Sequence, residues 1–368
     1  MAALKSIRVG VIGAGANTRL HHIPKLIALE GVEVTVVANR SLESAQAVAH
    51  SLGIRKAVAD WRSVLSDPDV DAVVIGTWPH MHHTLFTAAL EAGKHVLCEA
   101  RMSMNAAQGR EMLAASRARP DLAALIVPSP FTLAMDATLR RALSDGDVGD
   151  VRYVSARASV PSPAQVPLAE GVPPTLSWRQ DAELSGDNVM QLGILYEALA
   201  RWLGHATKVQ ARGKIWDRRP RIPAWDPSGP ARHPSVPDCV EVLAELECGA
   251  QAHILCQAGA WALAEGEAPS GAWIRGSRGS ITVDWDAQTA RLRRADGSVR
   301  TLYQGAEPFS HDNPPGWRVE EEFVGAVRGA EPVRLCDPAT ALRYMEFTSA
   351  VAESLDTGCS VTVRHLRA

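Results

Sequence analysis

The N-terminal part of the chain alternates short apolar runs with segments whose apolar positions recur at helical spacing. Ile7, Val9, Val11 and Ile12 lie in a run that ends at Gly13-Ala14-Gly15-Ala16-Asn17-Thr18, and a second run covers residues 32–38. Between them Leu20, Ile23 and Ile27 are spaced to form one helix face, so the order is strand, glycine turn, helix, strand. Ser41 is placed to cap a helix running to Leu52, with Gly53 closing it. Residues 71–76, 95–98 and 123–127 read as further strands, with helical stretches beginning near His82 and Asn105. The alternation predicts an α/β fold over residues 1–128, a doubly wound parallel sheet of the Rossmann type with helices on both faces.

The grammar then changes. A strand is expected at residues 151–159, and from residue 239 short strands recur at 239–246, 250–257, 272–276, 280–284, 290–294 and 299–303. Glu247-Cys248-Gly249, Ser277-Arg278-Gly279 and Asp296-Gly297 mark the reversals. That is the pattern of an antiparallel meander, so residues 129–368 are expected to form a second, α+β domain with a large open, mostly antiparallel sheet. Two Pro-rich stretches, 161–174 and 220–237, read as long surface loops, and residues 338–355 as an amphipathic helix.

Composition narrows the classes. At 368 residues there is room for two domains, and 38 basic against 41 acidic residues offer no excess for a nucleic acid or a membrane surface. Cys98, Cys239, Cys248, Cys256, Cys336 and Cys359 form no C-x-x-C pair, which fits reduced thiols in a cytoplasmic protein. The apolar stretch near the N-terminus is cut by glycines and is expected to be a strand, not a signal peptide, and no run reaches transmembrane length. Ten Trp against four Tyr and five Phe is unusual, and indole faces stack well on sugar C–H groups as well as filling core.

A glycine turn feeding a helix leaves backbone N–H groups unpaired at the positive end of the helix dipole, which suits the pyrophosphate of a dinucleotide. Gly13, Gly15, Ala16 and Asn17 are the candidate pyrophosphate residues, with Thr18 where a third glycine would stand. A tight turn without a ligand would use the same glycines. After the second strand come Asn39-Arg40-Ser41, where an NAD site places a carboxylate to read the ribose. Arg40 suits a 2′-phosphate and Ser41 donates to it, so NADP(H) is expected over NAD(H).

Two strand ends carry the next candidates: Gly76-Thr77-Trp78-Pro79-His80-Met81-His82-His83, and Ala92-Gly93-Lys94-His95-Val96-Leu97-Cys98-Glu99-Ala100-Arg101. Together with the glycine turn they resemble the Gfo/Idh/MocA oxidoreductases, whose T-P-N-H-x-H and A-G-K-H-V-x-x-E-K-P motifs match them in turn. The resemblance covers essentially the whole chain, including Gly276-Ser277-Arg278-Gly279-Ser280 and Ala350-Val351-Ala352-Glu353-Ser354. It implies sugar or polyol dehydrogenase chemistry, with Thr77, Trp78, Pro79, His82 and Glu99 framing the nicotinamide and its ribose.

The departures are as informative. The family's E-K-P lysine is Ala100 here, and its D-x-G-x-H-x-x-D falls on Gln191-Leu192-Gly193-Ile194-Leu195-Tyr196-Glu197-Ala198. The acid/base histidine is therefore Leu195, which takes no proton. Substitutes stand within the same motif segments: Tyr196 first, then Glu197 and His80 for the proton, and Arg101 as a fixed cation that polarises. Trp178 and Arg179, in Trp178-Arg179-Gln180-Asp181, and Gln191 are the candidate substrate contacts. His80, His82 and His83, with His21 and His22, would suit a transition metal, yet the family motif supplies two of them without one, so no metal is expected. Three functions follow: hydride transfer at a hydroxyl or carbonyl carbon; a lyase, glycoside-cleaving enzyme or epimerase using transient oxidation; and a nucleotide-binding scaffold without catalysis. An open sheet face needs a cover, so a homodimer or homotetramer is expected.

Overall fold

A computed structural model describes residues 6–160, 175–258 and 270–365. The chain divides into two units, Met1–Pro128 with Arg318–Leu342, and Ser129–Trp317 with Arg343–Ala368.

In the first unit six parallel strands, β1 (Ile7–Ile12), β2 (Val32–Ala38), β3 (Lys56–Val58), β4 (Ala72–Ile75), β5 (His95–Cys98) and β6 (Ala124–Ile126), stand in the order β3-β2-β1-β4-β5-β6. Helices α1 (Ile23–Ile27), α2 (Leu42–Leu52), α3 (Arg62–Leu65), α4 (Pro79–Glu91) and α5 (Ala106–Ala118) connect them. All four residues of β4 are fully buried, as expected of a strand covered on both faces. The strand order reverses between β1 and β4, and in open parallel sheets ligands bind outside the carboxyl ends of the strands at such a switch point. Ser41 caps α2 by accepting the Ser44 N–H at 3.2 Å, and Gly53 closes the helix in the left-handed region.

The helix after the glycine turn differs from its expected form. Thr18–His22 is a π-helical turn that leads into α1, and an extra residue per turn shifts the phase of everything after it. Leu20 and Ile27, expected to face the core, are 60% and 44% exposed, while Thr18, His22, Ile23 and Leu26 are buried.

The second domain does not run unbroken to the C-terminus, because Arg318–Leu342 belongs with the parallel sheet. Local pairing is the reason. The Ile126 N–H donates to the Cys336 carbonyl at 3.0 Å, and Arg328 Nη2 donates to the Glu30 carbonyl at 2.5 Å.

The second unit begins with α6 (Asp136–Ser144), β7 (Val151–Val160), β8 (Thr175–Leu176), α7 (Ala182–Ser185), α8 (Leu192–Leu203), β9 (Ala206–Lys214) and β10 (Ile222–Pro223). It continues through β11 (Cys239–Leu246), β12 (Gln251–Ala258), β13 (Gly271–Gly276), β14 (Gly279–Asp284), β15 (Thr289–Arg294) and β16 (Val299–Gln304). The chain then forms α9 (Val319–Val327) in the first unit, followed by α10 (Pro338–Thr357) and β17 (Val361–Thr362). The sheet order is β16-β15-β14-β13-β7-β12-β11-β9-β17, antiparallel throughout except for the parallel pair β7 and β12. Val240, Val242, Ala244 and Leu246 of β11 are buried and the residues between them face out, the period-two signature of a sheet covered on one side. Of the two Pro-rich stretches, 161–174 lies outside the described residues. The other is not simply a loop, since β10 pairs with β8 and Arg221 and Arg232 exchange main-chain hydrogen bonds, which buries Arg221.

Candidate functional site

The glycine turn after β1 and the Thr77 segment after β4 meet at the switch point. Gly13 has φ +85°, and a Cβ there would approach Thr77 Cγ2 to 2.6 Å and its main-chain nitrogen to 2.8 Å, so the two segments can lie this close only with glycine. A Cβ on Gly15 would meet nothing nearer than the Gly76 carbonyl oxygen at 3.7 Å, and Gly15, Ala16 and Asn17 are exposed. That open backbone fits a pyrophosphate. Asn39 braces the turn: its Oδ1 accepts the Ala14 N–H at 2.7 Å and its Nδ2 donates to Ser44 Oγ at 3.0 Å. Arg40 and Ser41 lie exposed beside it.

Beyond β4, Trp78 is half-buried and Pro79 opens α4, where a missing N–H costs nothing. Thr77 Oγ1 and His80 Nδ1 are buried atoms without a hydrogen-bond partner among the described residues. Unpaired buried polar atoms are uncommon, and two within one strand end fit a bound group that pairs with them. Burial also lowers the His80 pKa, with help from neighbouring His82, so its ring is neutral at pH 7.

His82, expected at the nicotinamide end, has both ring nitrogens engaged by main-chain carbonyls. It is fully buried, with Nδ1 2.8 Å from the Arg101 carbonyl and Nε2 2.9 Å from the Thr77 carbonyl, so it ties the ends of β4 and β5 together. The Arg101 side chain is itself buried. His83 Nε2 lies 2.7 Å from Glu111, so these histidines turn to separate partners.

Glu99, at the end of β5, anchors a network that sequence reasoning missed. Its carboxylate accepts from Asn17 Nδ2, from His22 Nε2 at 3.0 Å and from the Ala100 N–H at 3.1 Å. The other ring nitrogen of His22 lies 2.5 Å from Glu320 on α9. Burial alone would lower the His22 pKa, but the two carboxylates override it and push it up to about 10; the imidazolium in turn holds Glu99 down at about 2 against its own burial. Only the pair His21-His22 hinted at this, and nothing in the sequence pointed to Glu320.

In the second unit Tyr196 and Glu197, expected to move the proton, are buried and bonded to neighbours. Tyr196 is stacked on Phe347 with ring centroids 3.6 Å apart, its Oη accepts the Ala206 N–H at 2.7 Å, and burial raises its pKa. Glu197 accepts the Ser129 N–H at 2.9 Å and Arg201 Nη1 at 2.8 Å, and Arg201 also pairs with Asp136 at 2.7 Å. Burial drives the Glu197 pKa upward against Arg201. Both residues serve the core of this unit. Arg179 stacks on Trp178 at 4.3 Å, and Asp181 pairs with Arg232 at 2.8 Å. Gln191 stands at the N-cap of α8, half-buried.

The profile described as "Oxidoreductase family, NAD-binding Rossmann fold" matches residues 7–125, and that of the "GFO/IDH/MocA C-terminal domain" matches residues 137–282. The chain belongs to the Gfo/Idh/MocA family. Trans-1,2-dihydrobenzene-1,2-diol dehydrogenase of Bos taurus is 35% identical over 41% of this chain and 43% of its own length. The 1,5-anhydro-D-fructose reductase of Ensifer adhaerens is 34% identical over 50% of this chain and 52% of its own. The chain thus matches about half the length of these relatives, or less. A levoglucosan dehydrogenase solved with NADH and levoglucosan superposes with a TM-score of 0.79 over 98% of this chain and all of its own, at 21% identity, which shows a shared fold. Among the described residues no helix is long and apolar enough to cross a membrane, and no three His, Cys, Asp or Glu side chains gather as a metal site would need.

Proposed function

We propose that this chain is an NADP(H)-dependent oxidoreductase that moves a hydride at a hydroxyl or carbonyl carbon of a sugar, polyol or related small molecule. One observation carries the reading: the unpaired Thr77 Oγ1 and His80 Nδ1 lie at the switch point beside an open glycine turn. The relatives support the substrate class, since the names of both describe hydroxylated or anhydro-sugar rings. Gly13, Gly15, Ala16 and Asn17 hold the pyrophosphate, Arg40 and Ser41 the 2′-phosphate, and Thr77, Trp78 and Glu99 the ring end. When bound, the dinucleotide supplies the hydride acceptor or donor. His80 takes the proton, because its ring is neutral and its Nδ1 is unclaimed, in place of the residues lost at Ala100 and Leu195. Arg101 stays charged at any working pH and polarises the reacting oxygen without accepting its proton. The enzyme works in the cytoplasm as a homodimer or homotetramer, which the exposed Tyr153 and Leu243 of the sheet support.

Titration of the protein with NADPH and with NADH, read by energy transfer from tryptophan, tests this. NADPH should bind about tenfold tighter, roughly 1.4 kcal/mol, and Arg40→Ala should abolish the difference. Equal affinities would remove the NADP preference. Absence of binding by either nucleotide would overturn the enzyme reading, and tight retention without net absorbance change during turnover would redirect it to redox-neutral chemistry.

A further inference from the structure

The His22 network runs from the interior of the first unit to its ligand-facing edge. The side chains of His22 and Glu320 are fully buried, whereas that of Glu99 is 12% exposed and shares its Oε1 with Asn17 of the glycine turn. Two strand ends that the proposed cofactor would touch are thereby joined beside one imidazole, whose inner partner comes from a helix 298 residues later in the chain. A carboxylate facing each ring nitrogen means that both nitrogens donate, so the ring between them carries a proton on each. An isolated charge at such depth would be costly, and here the one cation lies between two carboxylates.

We infer that His22 and Glu320 are positioning residues for the dinucleotide, holding the Glu99 carboxylate charged and fixed against Asn17 so that the glycine turn and the end of β5 present one preformed surface. The inference rests on the proposed cofactor reading. Glu320 itself touches no ligand in this scheme; it acts by keeping His22 cationic. The charged and titratable groups that bear on the array are Glu99 and Glu320 against His22, and His82 and Cys98 beside Glu99. Burial holds the Cys98 thiol well above its usual range and the His82 ring below its own, so neither ionises near neutrality. With His22 protonated up to about pH 10, the wild-type array is insensitive to pH across the neutral range. Without Glu320 the His22 pKa falls, and as pH rises through the lowered value the cation facing Glu99 is lost.

The test is NADPH affinity at pH 6.5 and pH 9 for the wild type, Glu320→Gln, His22→Gln and the double variant His22→Gln/Glu320→Gln. Wild-type affinity should be the same at both pH values. Glu320→Gln should bind like the wild type at pH 6.5 and several-fold more weakly at pH 9, so its own low-pH binding certifies its fold. His22→Gln leaves two carboxylates without their cation and should bind at least tenfold more weakly at pH 9, and the double variant, which also lacks a cation facing Glu99, should bind no more tightly than Glu320→Gln does at pH 9. Equal pH ratios for all four proteins, or a double variant that binds NADPH like the wild type, would reduce His22 to packing and overturn the inference. Failure of the wild type to bind NADPH would overturn the cofactor reading, and with it this one.

Discussion

Helix α8 and the carboxyl edge of the parallel sheet carry similar side chains and use them in opposite ways. On α8 the Tyr196 hydroxyl is committed to the Ala206 N–H and the Glu197 carboxylate to Ser129 and Arg201, all within the second unit. At the sheet edge Thr77 Oγ1 and His80 Nδ1 are left over, and Glu99 keeps an exposed edge. A buried polar atom without a partner costs about 1–3 kcal/mol. The two left over at the sheet edge suit recognition of a bound group, whereas the Tyr196 and Glu197 pairings serve stability.

The comparison breaks or sharpens most readily at Arg201. Its removal by Arg201→Leu strands the Glu197 and Asp136 carboxylates, which are 4% and 9% exposed, and should lower the unfolding free energy by about 3–5 kcal/mol. Urea denaturation measures it, and a loss below about 1 kcal/mol would place this cluster outside the structural class. The next effect belongs to the other region. His80→Gln should reduce kcat about 100-fold with NADPH affinity retained. Because burial depresses the His80 pKa, the wild-type oxidation rate should hold at neutral pH and decline only as pH falls through a value below the usual histidine range. The variant should lose that acid limb, and a variant with an unchanged profile would release His80 from the proton step. The smallest effect expected is at Tyr196→Phe, which takes the acceptor from the Ala206 N–H. Stability should drop by about 1–3 kcal/mol with kcat per folded molecule intact. A large fall in kcat at unchanged stability would return Tyr196 to the chemistry.

Much of this architecture was legible beforehand, for identifiable reasons. The bounds of β1, β2, β5 and β11 agree with their apolar runs, because a strand's burial pattern depends mainly on its own residues and on turns such as Gly13 and Gly249. The glycine turn and the two strand-end motifs were legible for the same reason. Side chains whose meaning depends on distant partners were not. Helical spacing shows that Tyr196 and Glu197 point in different directions, but only Phe347, Ser129 and Arg201 make their surroundings core. His22 was hidden twice, by a π-turn that moves it from the outer face to the inner one and by a partner far along the chain. Asn39 was a candidate cofactor contact, and Ala14 and Ser44 take both ends of its amide.

The return of Arg318–Leu342 to the parallel sheet bears on how members of this family can exchange parts. A nucleotide-binding half cut at Pro128 is not a cassette: it leaves behind Glu320 for His22, the Cys336 carbonyl for Ile126 and Arg328 for Glu30. Recombination that grafts a new substrate half onto an old cofactor half must carry this second, distant piece along. A cross-over placed anywhere between β6 and α9 therefore inherits an electrostatic mismatch at the base of the glycine turn unless both parents supply the same carboxylate.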